Sequence, residues 1–150
     1  MIAEGARAFG SQCIVLSMQV KQRAANSQFP SGYEVMIDGG RTPAGRDALE
    51  WAYEGERLGA GELCINSINR DGTKLGYDLE ITRRISESVS IPVIASGGAG
   101  EPKHLYEAFI AGAADAALVA SIVHYGEYPI ADLKRYLTQR GIEMRVGQVC

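Results

Sequence analysis

Four short apolar runs punctuate the chain at Cys13–Val20, Leu63–Ile68, Pro92–Ala95 and Ala116–Ala120. Each is four to eight residues long and rich in Val, Ile, Leu or Ala, the pattern of strands buried on both faces of a parallel sheet. Between them polar and apolar positions recur at helical spacing. Ala44–Leu58 carries Leu49, Trp51 and Ala52; Leu79–Val89 carries Leu79, Ile81, Ile85 and Val89. Lys103–Ala111 carries Leu105, Ala108 and Phe109, and Ile130–Gln139 carries Ile130, Leu133, Tyr136 and Leu137. Each set lies along one helical face. A further helix is expected over Ile2–Phe9.

Local signals punctuate these elements. Thr42 before Pro43 reads as an N-cap with proline at the first helical position, and Asp78 reads as the cap of the next helix. Gly59, Gly112 and Gly141 stand where helices should stop. The order is one helix followed by four β-α units, which predicts an α/β fold with a parallel sheet and right-handed crossovers. The one long connection, Lys21–Arg41, contains Tyr33-Glu-Val-Met-Ile37 between Pro30-Ser-Gly32 and Asp38-Gly-Gly40. It reads as an inserted β-hairpin whose weak first arm is Lys21–Gln28. No linker divides the 150 residues, so a single domain, 1–150, is expected.

Composition narrows the function classes. A hydrophobic fraction of 46% supports a packed core, and 22% charged residues with a net charge of −3 argue against a general nucleic-acid binder. No apolar run approaches a membrane span, and the first ten residues do not read as a signal peptide. Three scattered cysteines, Cys13, Cys64 and Cys150, suit a reducing cytoplasm and predict neither a disulfide framework nor a metal site. Cys13 and Cys64 read as small buried hydrophobes, Cys150 as a disordered tail. Eighteen glycines suggest turns where backbone meets ligand.

Candidate chemistry follows the C-terminal ends of the strands, the edge where α/β sheets and barrels bind ligands. Asn66-Ser-Ile-Asn-Arg-Asp-Gly-Thr-Lys-Leu-Gly-Tyr-Asp78 follows the second strand, Ala95-Ser-Gly-Gly-Ala-Gly100 the third, and Val119-Ala-Ser121 the fourth. Glycines there let backbone N–H groups approach an anion. Gly97 and Gly98 alone are equally well explained by a tight strand-to-helix turn. Together with Asp71-Gly72 and Ala120-Ser121 they favour a phosphate site.

Asn69-Arg-Asp-Gly-Thr73, Gly76-Tyr-Asp78, Ile91-Pro-Val-Ile-Ala-Ser-Gly-Gly-Ala-Gly100 and Ala113-Ala-Asp-Ala-Ala-Leu-Val-Ala-Ser121 with His124-Tyr-Gly-Glu127 resemble the cyclase subunit of imidazole glycerol phosphate synthase. Ser11-Gln12, the Gly39-Gly-Arg-Thr42 turn and Gly59-Ala-Gly-Glu62 agree. The sister isomerase of histidine biosynthesis shares the glycine turn, but Ala99 and His124-Tyr125 favour the cyclase. The resemblance covers essentially the whole chain. It implies a (β/α)₈ TIM barrel, which needs about 250 residues. This chain matches only strands five to eight, so a (β/α)₄ half barrel with an inserted hairpin is expected, completed by homodimerisation or by a missing N-terminal half.

The resemblance implies an enzyme that joins ammonia from a glutaminase subunit to a bisphosphorylated aminoimidazole precursor. The products are imidazole glycerol phosphate and aminoimidazole carboxamide ribotide, and neither a cofactor nor a metal is needed. It assigns one substrate phosphate to Asp71, Gly72, Gly98, Ala120 and Ser121, the substrate lining to Asn66, Ser67 and Asn69, and ammonia entry to Glu62. The family uses two aspartates as general acid and base. One belongs to the missing first strand; the other falls at Gln19, where an amide cannot exchange protons near neutral pH. Asn69 likewise stands where aspartate is usual. These two amides favour phosphate binding without turnover from this chain alone. Two further readings are a non-catalytic phosphate-binding half barrel and a paralogue passing ammonia to surface-sugar amidation. His104 is expected to be exposed and His124 to make a structural hydrogen bond, while Arg83-Arg84 reads as a solvated helix face.

Overall fold

The computed structural model describes residues 1–145. Its helices are α1 (Ile2–Phe9), α2 (Ala48–Arg57), α3 (Leu79–Ser86), α4 (Pro102–Ile110), α5 (Ser121–His124) and α6 (Ile130–Thr138). Its strands are β1 (Val15–Gln22), β2 (Tyr33–Ile37), β3 (Thr42–Asp47), β4 (Glu62–Ser67), β5 (Val93–Ser96) and β6 (Ala116–Ala117). They form one sheet in the order β3-β2-β1-β4-β5-β6. β1, β4, β5 and β6 run parallel, as the alternating pattern predicts, and β2 and β3 are antiparallel. A parallel-rich six-stranded sheet with an inserted hairpin is consistent with one half of a (β/α) barrel.

One face of the sheet is sealed by helices. Met18, Val20, Leu63, Ile65 and Val93 pack against Ala48 and Ala52 of α2 and Ile81 and Ile85 of α3. A second cluster joins Ala95 to Leu105 and Ala108 of α4, to Ile122 of α5, and to Leu133 and Leu137 of α6. Burying one such aliphatic side chain contributes roughly 1.5–3 kcal/mol. The opposite face carries Val15, Ser17 and Gln19 of β1, Glu62, Cys64 and Asn66 of β4, and Ile94 and Ser96 of β5, by strict alternation and register. The apolar pattern of the strands offers Ile14, Leu16, Ile65, Val93 and Leu118 as residues to fill a barrel interior. Leu16, Ile65 and Val93 instead lie beneath the helices, and Ile14 packs against Gly5 of α1. Leu118, just past the end of β6, remains on the open side.

The hairpin differs from expectation in both arms. The first arm is the end of β1 itself: Gln19, Val20, Lys21 and Gln22 pair with Met36, Val35, Glu34 and Tyr33. Lys21–Gln28 is therefore not a separate strand. Thr42-Pro43 begins β3 rather than capping a helix, and Pro43 is tolerated because β3 is the sheet edge. The cap of α2 is Asp47, whose Oδ1 accepts the N–H groups of Leu49 at 2.9 Å and Glu50 at 3.3 Å. Its Oδ2 also accepts from the Ser31 N–H at 2.7 Å, so one carboxylate starts the helix and closes the base of the hairpin. Glu34, buried in β2, accepts from Arg23 Nε at 2.8 Å and the Gly45 N–H at 3.1 Å.

Other differences are local. The last apolar run forms a strand only over Ala116–Ala117, and a one-turn helix, α5, follows at Ser121–His124. Cys13 lies in an exposed 3₁₀ turn, whereas Cys64 is buried. Cys150 lies outside the described residues. Arg83 pairs with Glu87 on the solvated face, but Arg84 donates to the Ser31 carbonyl at 2.5 Å and ties α3 to the hairpin. No helix among the described residues is long and apolar enough to cross a membrane.

Candidate anion-binding site

Three loops at the C-terminal ends of β4, β5 and β6 meet in a cleft of about 140 Å³. Asp71, Gly72 and Lys74 come from the first, Ser96, Gly97, Gly98 and Ala99 from the second, and Leu118, Ala120 and Ser121 from the third. All five residues expected to hold a phosphate are thus together, although 50 positions separate Asp71 from Ser121 in the chain. Among the described residues, the backbone N–H groups of Gly72, Gly98, Ala99, Ala120 and Ser121 donate to no protein acceptor. Backbone donors left in this state need a ligand or water.

Glycine is required where the loops touch. At Gly98, φ is +107°, and a Cβ would stand 2.2 Å from the Gly76 carbonyl oxygen. That approach lets the Gly76 N–H donate to the Gly98 carbonyl at 2.8 Å. Tyr77 reaches beneath the turn and donates its hydroxyl to the Leu118 carbonyl at 2.9 Å. Burial pushes the Tyr77 phenol above its ordinary range and keeps it a donor. His104 is not exposed as expected. Its side chain is only 14% accessible, and Nδ1 accepts the Gly100 N–H at 3.1 Å, so it braces the glycine turn from the first turn of α4. His124, at the end of α5, is exposed and meets Tyr125 edge-on at 5.2 Å.

The remaining candidates divide between the sheet's two faces. Gln19, Asn66 and Ser96 are neighbours across β1, β4 and β5 on the open face, directly below the cleft's loops. Ser96 Oγ donates to Asn66 Oδ1 at 3.1 Å. The hairpin tip folds over Gln19: a Cβ on Gly40 would lie 2.8 Å from Gln19 Oε1. Glu62 stands at the other end of the open face, opposite Val15.

Ser67 and Asn69 do not join this group. Ser67 is buried on the helix side, where its hydroxyl donates to Asp78 Oδ2 at 2.9 Å. Asn69 lines a separate cleft with Tyr33 and Asp78, and its Oδ1 accepts the Gln22 N–H at 2.8 Å. Asp78 stands at the N-cap of α3, as expected, but its side chain makes no capping hydrogen bond. Its carboxylate instead takes the hydroxyls of Ser67 and of Tyr33, the latter at 3.1 Å. Burial, reinforced by the Asp78 charge, raises the Tyr33 phenol above its usual range. Sequence reasoning missed Lys74 as part of the cleft and Tyr77 as the support of its Leu118 loop, because their roles depend on loops that only folding brings near.

The cleft sets unpartnered main-chain donors above a mixed polar sheet face. The histidine biosynthesis protein family matches residues 1–129. This chain belongs to that family. The imidazole glycerol phosphate synthase subunit HisF of Desulfosudis oleivorans is 60% identical over 146 residues, 97% of this chain and 56% of that protein. The subunit of the same name from Syntrophobacter fumaroxidans is 61% identical over 145 residues, and that from Nitratidesulfovibrio vulgaris 60% over 146. The chain spans about half the length of the curated relatives it matches. Family membership places the half-barrel sheet within a TIM-barrel architecture. Among the described residues, no group of three or more His, Cys, Asp or Glu side chains is arranged to hold a metal ion.

Proposed function

We propose that this chain is the C-terminal half of a cyclase-type barrel, and that its cleft binds one phosphate of a bisphosphorylated aminoimidazole precursor. The observation that carries this reading is one cleft lined by three loops whose backbone N–H groups, those of Gly72, Gly98, Ala99, Ala120 and Ser121 among them, donate to no protein acceptor among the described residues. Main-chain donors suit a phosphate ester because they are fixed before the ligand arrives and cost no side-chain ordering. The open face below the cleft is where the rest of the substrate lies, against Asn66 and Ser96. In the full reaction the substrate takes up ammonia and is then closed and cleaved to imidazole glycerol phosphate and aminoimidazole carboxamide ribotide. Ammonia from a glutaminase subunit enters at the far end of the sheet, beside Glu62.

Gln19 limits what this chain does alone. It occupies the place of a proton-transferring aspartate, and an amide neither takes nor gives a proton near neutral pH. The chain therefore binds the phosphate without turning the precursor over. Gln19 also favours a second reading, a phosphate-binding half barrel with no catalytic role. The open face and the free lower edge of β1 need a cover in either case, because unpaired strand edges template association. A second half barrel supplies that cover, either another copy of this chain or the part of the barrel to which the relatives' remaining length corresponds.

Titration of the chain with inorganic phosphate tests the site, with amide shifts at Gly72, Gly98 and Ser121 as the readout. No shift at millimolar phosphate from a folded sample overturns the proposal. The Gln19→Asp variant, mixed with an N-terminal half barrel, separates the two readings. Cyclase activity is expected under the first and none under the second. Light scattering tests the cover: a monomer with a cooperative melt refutes self-association.

A further inference from the structure

Among the residues lining the anion cleft, Lys74 alone carries a positive charge, and it is already engaged. Its ammonium is ion-paired with Glu127, which lies just beyond α5, the helix that starts at Ser121 of the cleft. The backbone that presents it is held firmly. Lys74 has φ +59°, a left-handed conformation uncommon for a lysine. The loop is pressed so close to the glycine turn that a Cβ on Gly100 would meet the Lys74 carbonyl oxygen at 2.3 Å. Two hydrogen bonds already described, Gly76 N–H to Gly98 and Tyr77 hydroxyl to Leu118, fix the segment that follows. The main chain is thus immobilised on both rims while the Lys74 side chain remains 46% exposed and free to change partner.

Two anions then compete for one ammonium. A carboxylate 36% exposed to solvent holds a half-exposed lysine weakly. A phosphate monoester dianion carries up to twice the charge and offers three acceptor oxygens, and here it would sit among donors that already fix its position. Asp71, the acidic member of the cleft lining, adds a further reason for a cation beside a bound dianion.

We propose that Lys74 is a phosphate ligand held in reserve by Glu127, so that binding of the phosphate ester transfers the ammonium from the Glu127 carboxylate to the phosphate. Glu127 is then a specificity element: it sets the affinity threshold by competing with the ligand, and weakly charged anions fail to displace it. This inference rests on the cleft being the phosphate site.

The experiment is a calorimetric or amide-shift titration of the full chain with inorganic phosphate, in wild type, Lys74→Asn, Glu127→Gln and the double variant. Asparagine tolerates the left-handed backbone at position 74, so the loop is retained while the charge is lost. Lys74→Asn is expected to weaken phosphate about tenfold, the loss of one charge-assisted contact. Glu127→Gln is expected to tighten it about threefold or more, since the competing carboxylate is gone. In the double variant the Glu127→Gln gain disappears, because no ammonium is left to release. Should Lys74→Asn fail to fold, Lys74→Gly and Glu127→Gln decide the matter, since glycine accepts the same φ without strain. If wild type binds and Lys74→Asn binds equally, or Glu127→Gln binds more weakly, the inference is wrong and the phosphate site stands. If wild type binds no phosphate, both fall together.

Discussion

The two faces of the sheet follow different rules. On the helix side, Met18, Val20, Leu63, Ile65, Val93 and Ala95 are all almost fully buried. On the other side apolar, polar and charged residues mix: Val15 is 50% exposed and Leu118 46%, beside Ser17, Gln19, Glu62 and Asn66. The helix face is a finished core. The open face has the composition of a surface that meets something partly polar, and its upper end leads into the cleft lined by the three loops. A sheet that only needed a second layer of packing would carry the same aliphatic pattern on both sides.

Substitution gives the largest contrast. Leu63→Ala on the sealed face is expected to cost about 2–5 kcal/mol, because a cavity remains beneath α2. Val15→Ala on the open face is expected to change stability by less than about 0.5 kcal/mol. Urea unfolding of the two variants checks this, and equal losses would mean the open face is as well packed as the other.

Gly98→Ala probes the cleft where the two faces end. With φ at +107° and the Gly76 carbonyl 2.2 Å from the new methyl, the two loops must separate. Phosphate affinity is expected to fall more than tenfold, with a stability loss of about 1–3 kcal/mol from the strained backbone. Titration and thermal melting measure the two effects independently.

Alkaline pH acts on the sealed side through Tyr33 and Tyr77. Both phenols are raised above their ordinary range, chiefly by burial, so the folded chain keeps protons that the unfolded chain loses. The stability they contribute is fully present below pH about 10, where free tyrosine begins to ionise, and is lost as pH rises further. Urea midpoints at pH 8 and pH 11 should show the decline. The Tyr33→Phe variant should show a shallower decline, together with a loss of about 1 kcal/mol at pH 8 from the hydrogen bond to Asp78.

Thiol reactivity gives the smallest effect and tests how open the open face is. Cys13 is exposed, whereas Cys64 is buried between the Ser17 and Ser96 hydroxyls, and burial pushes its thiol up. A maleimide or iodoacetamide reagent at pH 8 is expected to modify Cys13 first and Cys64 slowly. Covering the face with a second half barrel should slow Cys64 further and leave Cys13 unchanged.

Much of this molecule is legible in the order of its residues. The four parallel strands, the helices between them and the three loops of the cleft follow from hydrophobic period and glycine placement, because those signals act over a few residues. The resemblance carried by Asn69–Asp78, Ile91–Gly100 and Ala113–Ser121 is enough to name the family, and the five residues it assigns to a phosphate meet in one cleft. Other features had no local signal. Thr42-Pro43 looks like a helix start, and only pairing with β2 makes it a strand. Asp78 looks like a cap, and only the approach of Tyr33 from the hairpin, 45 positions away, turns its carboxylate elsewhere. His104 looks exposed until the glycine turn folds against it.

The chain's own pattern determined the four parallel strands, the helices between them apart from the start of α2, and the glycine-rich loops that meet in the cleft. Tertiary structure decided which face of each strand is sealed, where Ser67 and Asn69 point, and which cation meets which acid across the cleft. Strand alternation is fixed by backbone geometry, but the choice of buried face depends on where the helices dock. A Lys74–Glu127 pair depends on two loops that share no sequence neighbourhood. Both are consequences of contacts between distant parts of the chain, which periodicity does not encode.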